Sequence, residues 1–244
     1  MPTPAPTPSE IVETLKRSSL PTIITEGLED YLVFRRLEKR FADLGVSLLP
    51  AGGKPALLEI YNRRAEFAHI RFACIADRDM WIFTGVPVEY QADNLVLTDG
   101  YSIENDLYRD SSLENLLSDG ERQSFLRERD AICRWFSFAV AKRCAGRDAV
   151  LKFHPSQILQ GANLHADFVA LVGFDDHCPY WYPVIVEQYT RYLRGKTLMH
   201  LIVRHLSYAG RAARHNYRAL MEMAGNVPGD FLNAMSARLD AVFR

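Results

Sequence analysis

Thr22-Ile23-Ile24-Thr25-Glu26-Gly27 and Phe72-Ala73-Cys74-Ile75-Ala76-Asp77-Arg78-Asp79 are two short apolar runs, and each stops at an acid. Apolar runs of this length, bounded by turn residues, read as strands buried on both faces, the kind that parallel sheets use. Two such strands in one parallel sheet share an edge at their carboxyl ends, where open α/β sheets place their sites. Glu26, Asp77 and Asp79 are then brought together across a long stretch of chain.

The intervening sequence supports that sheet. Leu32, Val33, Leu37, Phe41 and Leu44 recur at helical spacing and predict a helix from Glu29 to Leu44, with Asp30 in its first turn beside Glu26. Gly45 ends it, Val46 to Pro50 reads as a second strand, and Ala51-Gly52-Gly53-Lys54 turns into a helix from Pro55 to Ala65. The third strand runs from Ile70 to Ala76. A β-α-β-α-β rhythm predicts a parallel sheet covered by helices. A fourth strand is expected from Asn94 to Thr98, followed by a helix start at Ser102 that leaves Glu104 at another strand end.

Ahead of the first strand, residues 1–8 carry four prolines and no charge and read as an extended tail, and Ser9 is expected to cap a helix reaching Arg17. Beyond residue 110 the pattern turns helical, with segments expected at Glu121 to Cys144, Tyr182 to Leu193, Thr197 to Tyr208, His215 to Ala224 and Asp230 to Phe243. The expected fold is α/β: a parallel sheet flanked by helices over residues 9–110, with a mainly helical region, 111–244, packed directly on it.

The chain has 244 residues, 48% hydrophobic and 24% charged, with a net charge of −1. It shows neither a signal-peptide pattern nor an apolar run of membrane-spanning length, so a soluble, cytoplasmic protein is expected. Four cysteines without C-x-x-C spacing read as reduced structural thiols. The near-neutral total hides an asymmetry. Between Glu89 and Glu121 nine acids face Arg109 alone, whereas between Glu187 and Arg218 seven bases face Glu187 alone.

An acidic cluster without His or Cys suits Mg²⁺ or Mn²⁺, which prefer oxygen ligands. Two such ions stabilise the attacking and leaving oxygens of phosphodiester hydrolysis. Glu26 is expected as first ligand and general acid or base, with Asp77 and Asp79 as metal-holding catalytic residues and Asp30 and Glu104 as further ligands. Lys54, Arg78, Lys196, Arg204, Arg211 and Arg214 are the candidate nucleic-acid contacts, with Tyr189, Tyr192, Tyr208 and Tyr217 interleaved as stacking platforms. The plainer alternatives are that strand-end acids act as helix caps and that amphipathic helices expose Arg without any ligand. Gly52-Gly53-Lys54 is not a Walker A sequence, so ATP binding is not implied. Asp175-Asp176-His177-Cys178 fits no zinc spacing.

Glu26-Gly27 closing a first strand, Asp30 after it, Gly52-Gly53-Lys54 after the second and Asp77-Arg78-Asp79 closing the third resemble a Toprim domain over Thr22 to Tyr108. This is the metal-binding fold of topoisomerases, bacterial primases and OLD-type nucleases. Receiver domains and haloacid dehalogenase-type phosphatases also use strand-end acids, but in another order. With Thr98-Asp99-Gly100-Tyr101-Ser102-Ile103-Glu104-Asn105 and Gly195-Lys196 added, the chain resembles the small Toprim effectors of PARIS-type anti-phage defence, the AriB family. That resemblance implies a nuclease held silent by an ABC-type, AriA-like ATPase and released on infection to cleave host RNA, with transfer RNA the expected class. It leaves open a homodimer on activation, a DNA substrate, and a non-catalytic adaptor that binds nucleic acid or the ATPase without cutting.

Overall fold

A computed structural model describes residues 6–27, 31–176, 180–227 and 229–244. The first helix, α1 (Pro8–Arg17), begins one residue before the expected cap. Thr7 is the cap instead of Ser9: its hydroxyl and the Glu10 carboxylate bond each other's backbone N–H, and Pro8 fills the first turn, where its missing N–H costs nothing. Pro8 therefore leaves the expected tail; residues 1–5 lie outside the described residues.

Strand β1 (Thr22–Thr25) follows, then α2 (Tyr31–Arg40), β2 (Ser47–Pro50), α3 (Lys54–Asn62), β3 (Phe72–Ala76), a single helical turn α4 (Trp81–Thr84), β4 (Leu95–Leu97) and α5 (Ile103–Asp110). The expected start of α2 at Glu29, and Asp30 with it, lie outside the described residues. All four strands are parallel, in the order β2-β1-β3-β4. The order reverses between β1 and β3, so the topological switch point falls where Glu26 and Asp77 leave the sheet.

Alternation along the strands assigns each residue to one of two cores. Ile24, Cys74, Ala76 and Leu95 face α1 and α3 on one side. Ile23, Ala73, Ile75 and Val96 face the other side, in a larger core that continues to Phe243. Burial on both faces is why these strands read as unbroken apolar runs.

The helical part comprises α6 (Asp119–Cys144), α7 (Pro155–Ile158), a two-stranded hairpin of β5 (Leu159–Gln160) and β6 (Asn163–Leu164), α8 (Ala166–Val172), α9 (Tyr182–Glu187), α10 (Tyr189–Tyr192), α11 (Gly195–Leu206), α12 (Tyr217–Asn226) and α13 (Asp230–Phe243). The helix expected from Tyr182 to Leu193 is broken at Gln188 into α9 and α10. The chain's end returns to the sheet. Arg238 of α13 donates to the Leu95 carbonyl at 3.1 Å, and the Phe243 ring lies 5.5 Å from that of Phe41. Cys74 and Cys133 are buried, and burial pushes both thiols up, Cys133 to about 12. Among the described residues no helix is long and apolar enough to cross a membrane.

Candidate functional site

The carboxyl ends of β1 and β3 open onto a cleft of about 660 Å³. Glu26, Asp77, Asp79 and Glu104 all line it. Glu26 is held in that lining by backbone groups from neighbouring segments. Its carbonyl accepts N–H bonds from Gly52 at 3.0 Å and Gly53 at 2.6 Å, and its Oε1 accepts the Asp77 N–H at 2.8 Å. Gly52 and Gly53 have φ of +93° and +123°, values that side chains with a Cβ avoid. These two N–H groups therefore organise Glu26.

Asp77 Oδ1 accepts the Ile103 N–H at 2.8 Å, which sets one carboxylate at the electropositive start of α5. Asp79 adopts φ +50°, one of two non-glycine residues described with positive φ, and its N–H donates to the Tyr101 carbonyl at 2.7 Å. Aspartate tolerates this conformation better than most residues. Lys54 is turned inward: its Nζ donates to the carbonyls of Asp77 and Arg78, reaches Asp79 Oδ2 at 3.3 Å, and stands 3.9 Å from the centre of the Trp81 ring. It fixes the loop that carries both aspartates. The Tyr101 phenol is pushed up by burial and by the nearby Asp79 charge, so it stays protonated at neutral pH.

Glu104 is buried, and both its oxygens are engaged: Oε2 accepts from the Ser102 hydroxyl at 2.5 Å and Oε1 from Tyr217 at 2.8 Å. Through these bonds Glu104 braces α5 against α12 at the edge of the cleft it lines. The rest of the Thr98–Asn105 segment also braces. Asn105 donates to the carbonyls of Thr190 and Leu193, both at 2.9 Å. Asp99 pairs with Arg109 at 2.7 Å and with Arg191 at 3.3 Å. Asp106, whose carboxyl is raised by burial, accepts the N–H groups of Asp99 and Gly100. Gly195 is required by proximity, since a Cβ there would lie 2.2 Å from Ser102 Oγ.

Part of the lining is basic. Lys196 belongs to it, joined by Arg143, Lys152 and Arg194. Arg143 and Lys152 were not among the expected contacts, and Arg194 entered only as a member of the basic stretch. Arg143 and Lys152 flank a connection with no periodicity, so sequence spacing gave no signal for them; Arg194, directly before Gly195-Lys196, offered one. Lys54 is the second expected contact that lines the cleft; Arg78, Arg204, Arg211 and Arg214 are not part of its lining. Arg78 Nε donates to the Thr98 carbonyl at 2.6 Å, and Arg204 pairs with Glu128 at 3.1 Å. Arg211 is held by Glu121 at 2.9 Å and by the Leu116 carbonyl at 2.8 Å, and its guanidinium pulls the Glu121 carboxyl down to about 2. Arg214 is exposed between α11 and α12. His205 is a core residue on Glu128, and His177 and Cys178 lie outside the described residues.

Among the described residues, no three His, Cys, Asp or Glu side chains gather as a metal cluster. The five-carboxylate set expected from the sequence includes Asp30, which lies outside the described residues. A smaller requirement is met by the donor chemistry. Mg²⁺ keeps several waters and takes one or two carboxylates together with substrate phosphate. Glu26 and Asp77, oxygen donors on adjacent strand ends, fit that role. No protein-family model matches this chain, and no curated protein matches it significantly.

Proposed function

We propose that this chain is a metal-dependent nuclease of the Toprim type. One observation carries the reading: Glu26 and Asp77 are joined across the β1/β3 switch point, in a cleft that Arg143, Lys152, Arg194 and Lys196 also line. A phosphodiester entering this cleft would have its charge met by these cations. Carboxylates alone would repel it, so these acids need a hard cation between acid and phosphate.

Glu26, Asp77 and Asp79 would hold Mg²⁺ or Mn²⁺, which when bound polarises a phosphoryl oxygen and favours hydroxide over water. The residues of the chain supply the positioning. Lys54 and the glycine turn fix the acids, Asp77 is oriented by the α5 N-terminus, and Arg194 and Lys196 orient the strand. Resemblance to the AriB family supports the wider role of a defence effector restrained by an AriA-like ABC-type ATPase and directed at host RNA, transfer RNA above all.

A non-catalytic adaptor is the second reading. It is favoured by the engagement of both Glu104 oxygens, which gives that acid a structural use.

Glu26→Gln separates the two, because the amide oxygen can still accept the Asp77 N–H while the charge is lost. Purified wild type with Mg²⁺ is expected to cut RNA, EDTA to stop it, and Glu26→Gln to slow cutting by about 10²-fold or more with an unchanged melting temperature. Equal cutting by wild type and Glu26→Gln would remove the catalytic assignment. Nucleic-acid binding without cutting by either would establish the adaptor. Cutting of DNA alone would redirect the substrate. Co-expression with the partner ATPase, followed by sequencing of RNA ends after infection, tests the defence role.

A further inference from the structure

Arg143 lines two hollows. One is the acid-lined cleft, where it stands with Lys152, Arg194 and Lys196. The other is a separate cavity of about 560 Å³ between the C-terminal half of α6, the 145–154 connection and α8. That volume lies within the range of small-ligand sites, roughly 300–1,000 Å³.

The second cavity is apolar and aromatic where the first is charged. Trp135, Phe138 and Phe153 line it, with Val150 and Leu171 exposed by 60% and 73%. These two side chains extend the apolar lining to the cavity's rim, within reach of a ligand. Its two cations, Lys142 and Arg143, both come from the last turn of α6, and Lys142 Nζ lies 4.8 Å from the centre of the Phe138 ring. Arg143 pairs with Asp148 at 3.8 Å, a contact between exposed side chains that leaves the guanidinium little constrained.

A nucleotide is divided in the same way, into an anionic phosphate and a flat base with apolar faces. An arginine between the two compartments can bond phosphate and stack on a base. We propose that the apolar cavity receives an unpaired nucleobase of the strand whose phosphates lie along the basic lining, with Arg143 joining the two subsites. The proposal rests on the nuclease reading of the cleft. It narrows the substrate to single-stranded or locally unpaired nucleic acid, because a base must leave its stack to enter a pocket. A second copy of the chain could cover the apolar rim, but it would leave the guanidinium shared with the cleft without a role.

The test is equilibrium binding of full-length Glu26→Gln to fluorescein-labelled single-stranded RNA and DNA, intact or with one abasic residue stepped along the strand. One abasic position is expected to weaken binding at least about fivefold, the loss of one stacked base. Phe138→Ala should weaken the intact strand similarly and add little to the abasic one. Leu171→Asp, on the exposed rim, repeats the test without touching buried packing. A flat abasic profile with intact binding overturns the base pocket and leaves the nuclease reading standing. Failure of every oligonucleotide to bind or be cut removes both. If Leu171→Asp instead splits a dimer in sedimentation while the abasic profile stays flat, the cavity is a contact between copies and the proposal fails.

Discussion

Gly195 shows how a single residue fixes the distance between two halves of the cleft. An added Cβ would stand 2.2 Å from Ser102 Oγ, 2.6 Å from Asn105 Oδ1 and 2.9 Å from Glu104 Cβ, so the first turns of α5 and α11 meet with no room for a methyl group. Gly195→Ala is expected to lower stability by about 1–3 kcal/mol in urea melts. Gly120→Ala, which meets nothing within 4 Å, serves as a neutral control. His200 makes a second prediction at this scale. Its ring stacks 4.8 Å from that of Tyr217, the residue that bonds Glu104, and burial foremost, then His154 and Arg194, lowers its affinity for protons. His154 is lowered too, by burial and Arg204. A lowered folded-state value means that the unfolded chain binds more protons at mildly acid pH. Stability is therefore full above the unfolded value of about 6.5 and falls as pH drops below it. Thermal melts from pH 7.5 to 5.5 should show that fall, and His200→Gln should reduce it.

The elements of the sheet were legible in the sequence because both their faces are buried, which makes Ile23-Ile24 and Phe72 to Ala76 continuous apolar runs. The long helix α6 was legible from its periodicity, and its Ser118–Glu121 capping box places the start two residues before the expected one. The turn α4, the short helices α7 and α8 and the β5–β6 hairpin were not foreseen, since two to seven residues are too few to express a period. The acids at the strand ends were readable as a site, yet their division of labour was not. Glu104 and Glu26 look alike in sequence, and only the positions of Ser102 and Tyr217 make one a brace. Asn105 shows the same dependence on distant chain. Its amide bonds the carbonyls of Thr190 and Leu193, so α5 carries α10 and the start of α11. Asn105→Ala removes both bonds and is expected to cost about 2 kcal/mol at about 1 kcal/mol each. Hydrogen exchange should then quicken in α10 and the first turn of α11 ahead of the sheet.

Across the whole molecule, the sheet supplies the acids of the cleft and the helical part supplies most of its cations: Arg143 ends α6, Lys152 follows it, and Arg194 and Lys196 flank the start of α11. The α/β part adds only Lys54 to these cations, so the close docking at Gly195 and Asn105, which brings the other four to the acids, has a functional meaning. The sequence-wide charge asymmetry pointed toward such an arrangement without resolving its members: of the expected arginines, Arg204 and Arg211 pair with Glu128 and Glu121 and do not line the cleft. Single-strand binding that displaces counterions from phosphates follows log K against log salt with a slope of about −0.7 per contact. These four cations therefore predict a slope of about −3 for a single strand bound to Glu26→Gln. Lys152→Ala should make it shallower by about 0.7, while Arg204→Ala, outside the cleft, should leave it unchanged. A slope insensitive to Lys152 but reduced by Arg204→Ala would move the strand off the cleft and onto the α11 face, and the acids at the switch point would lose their substrate.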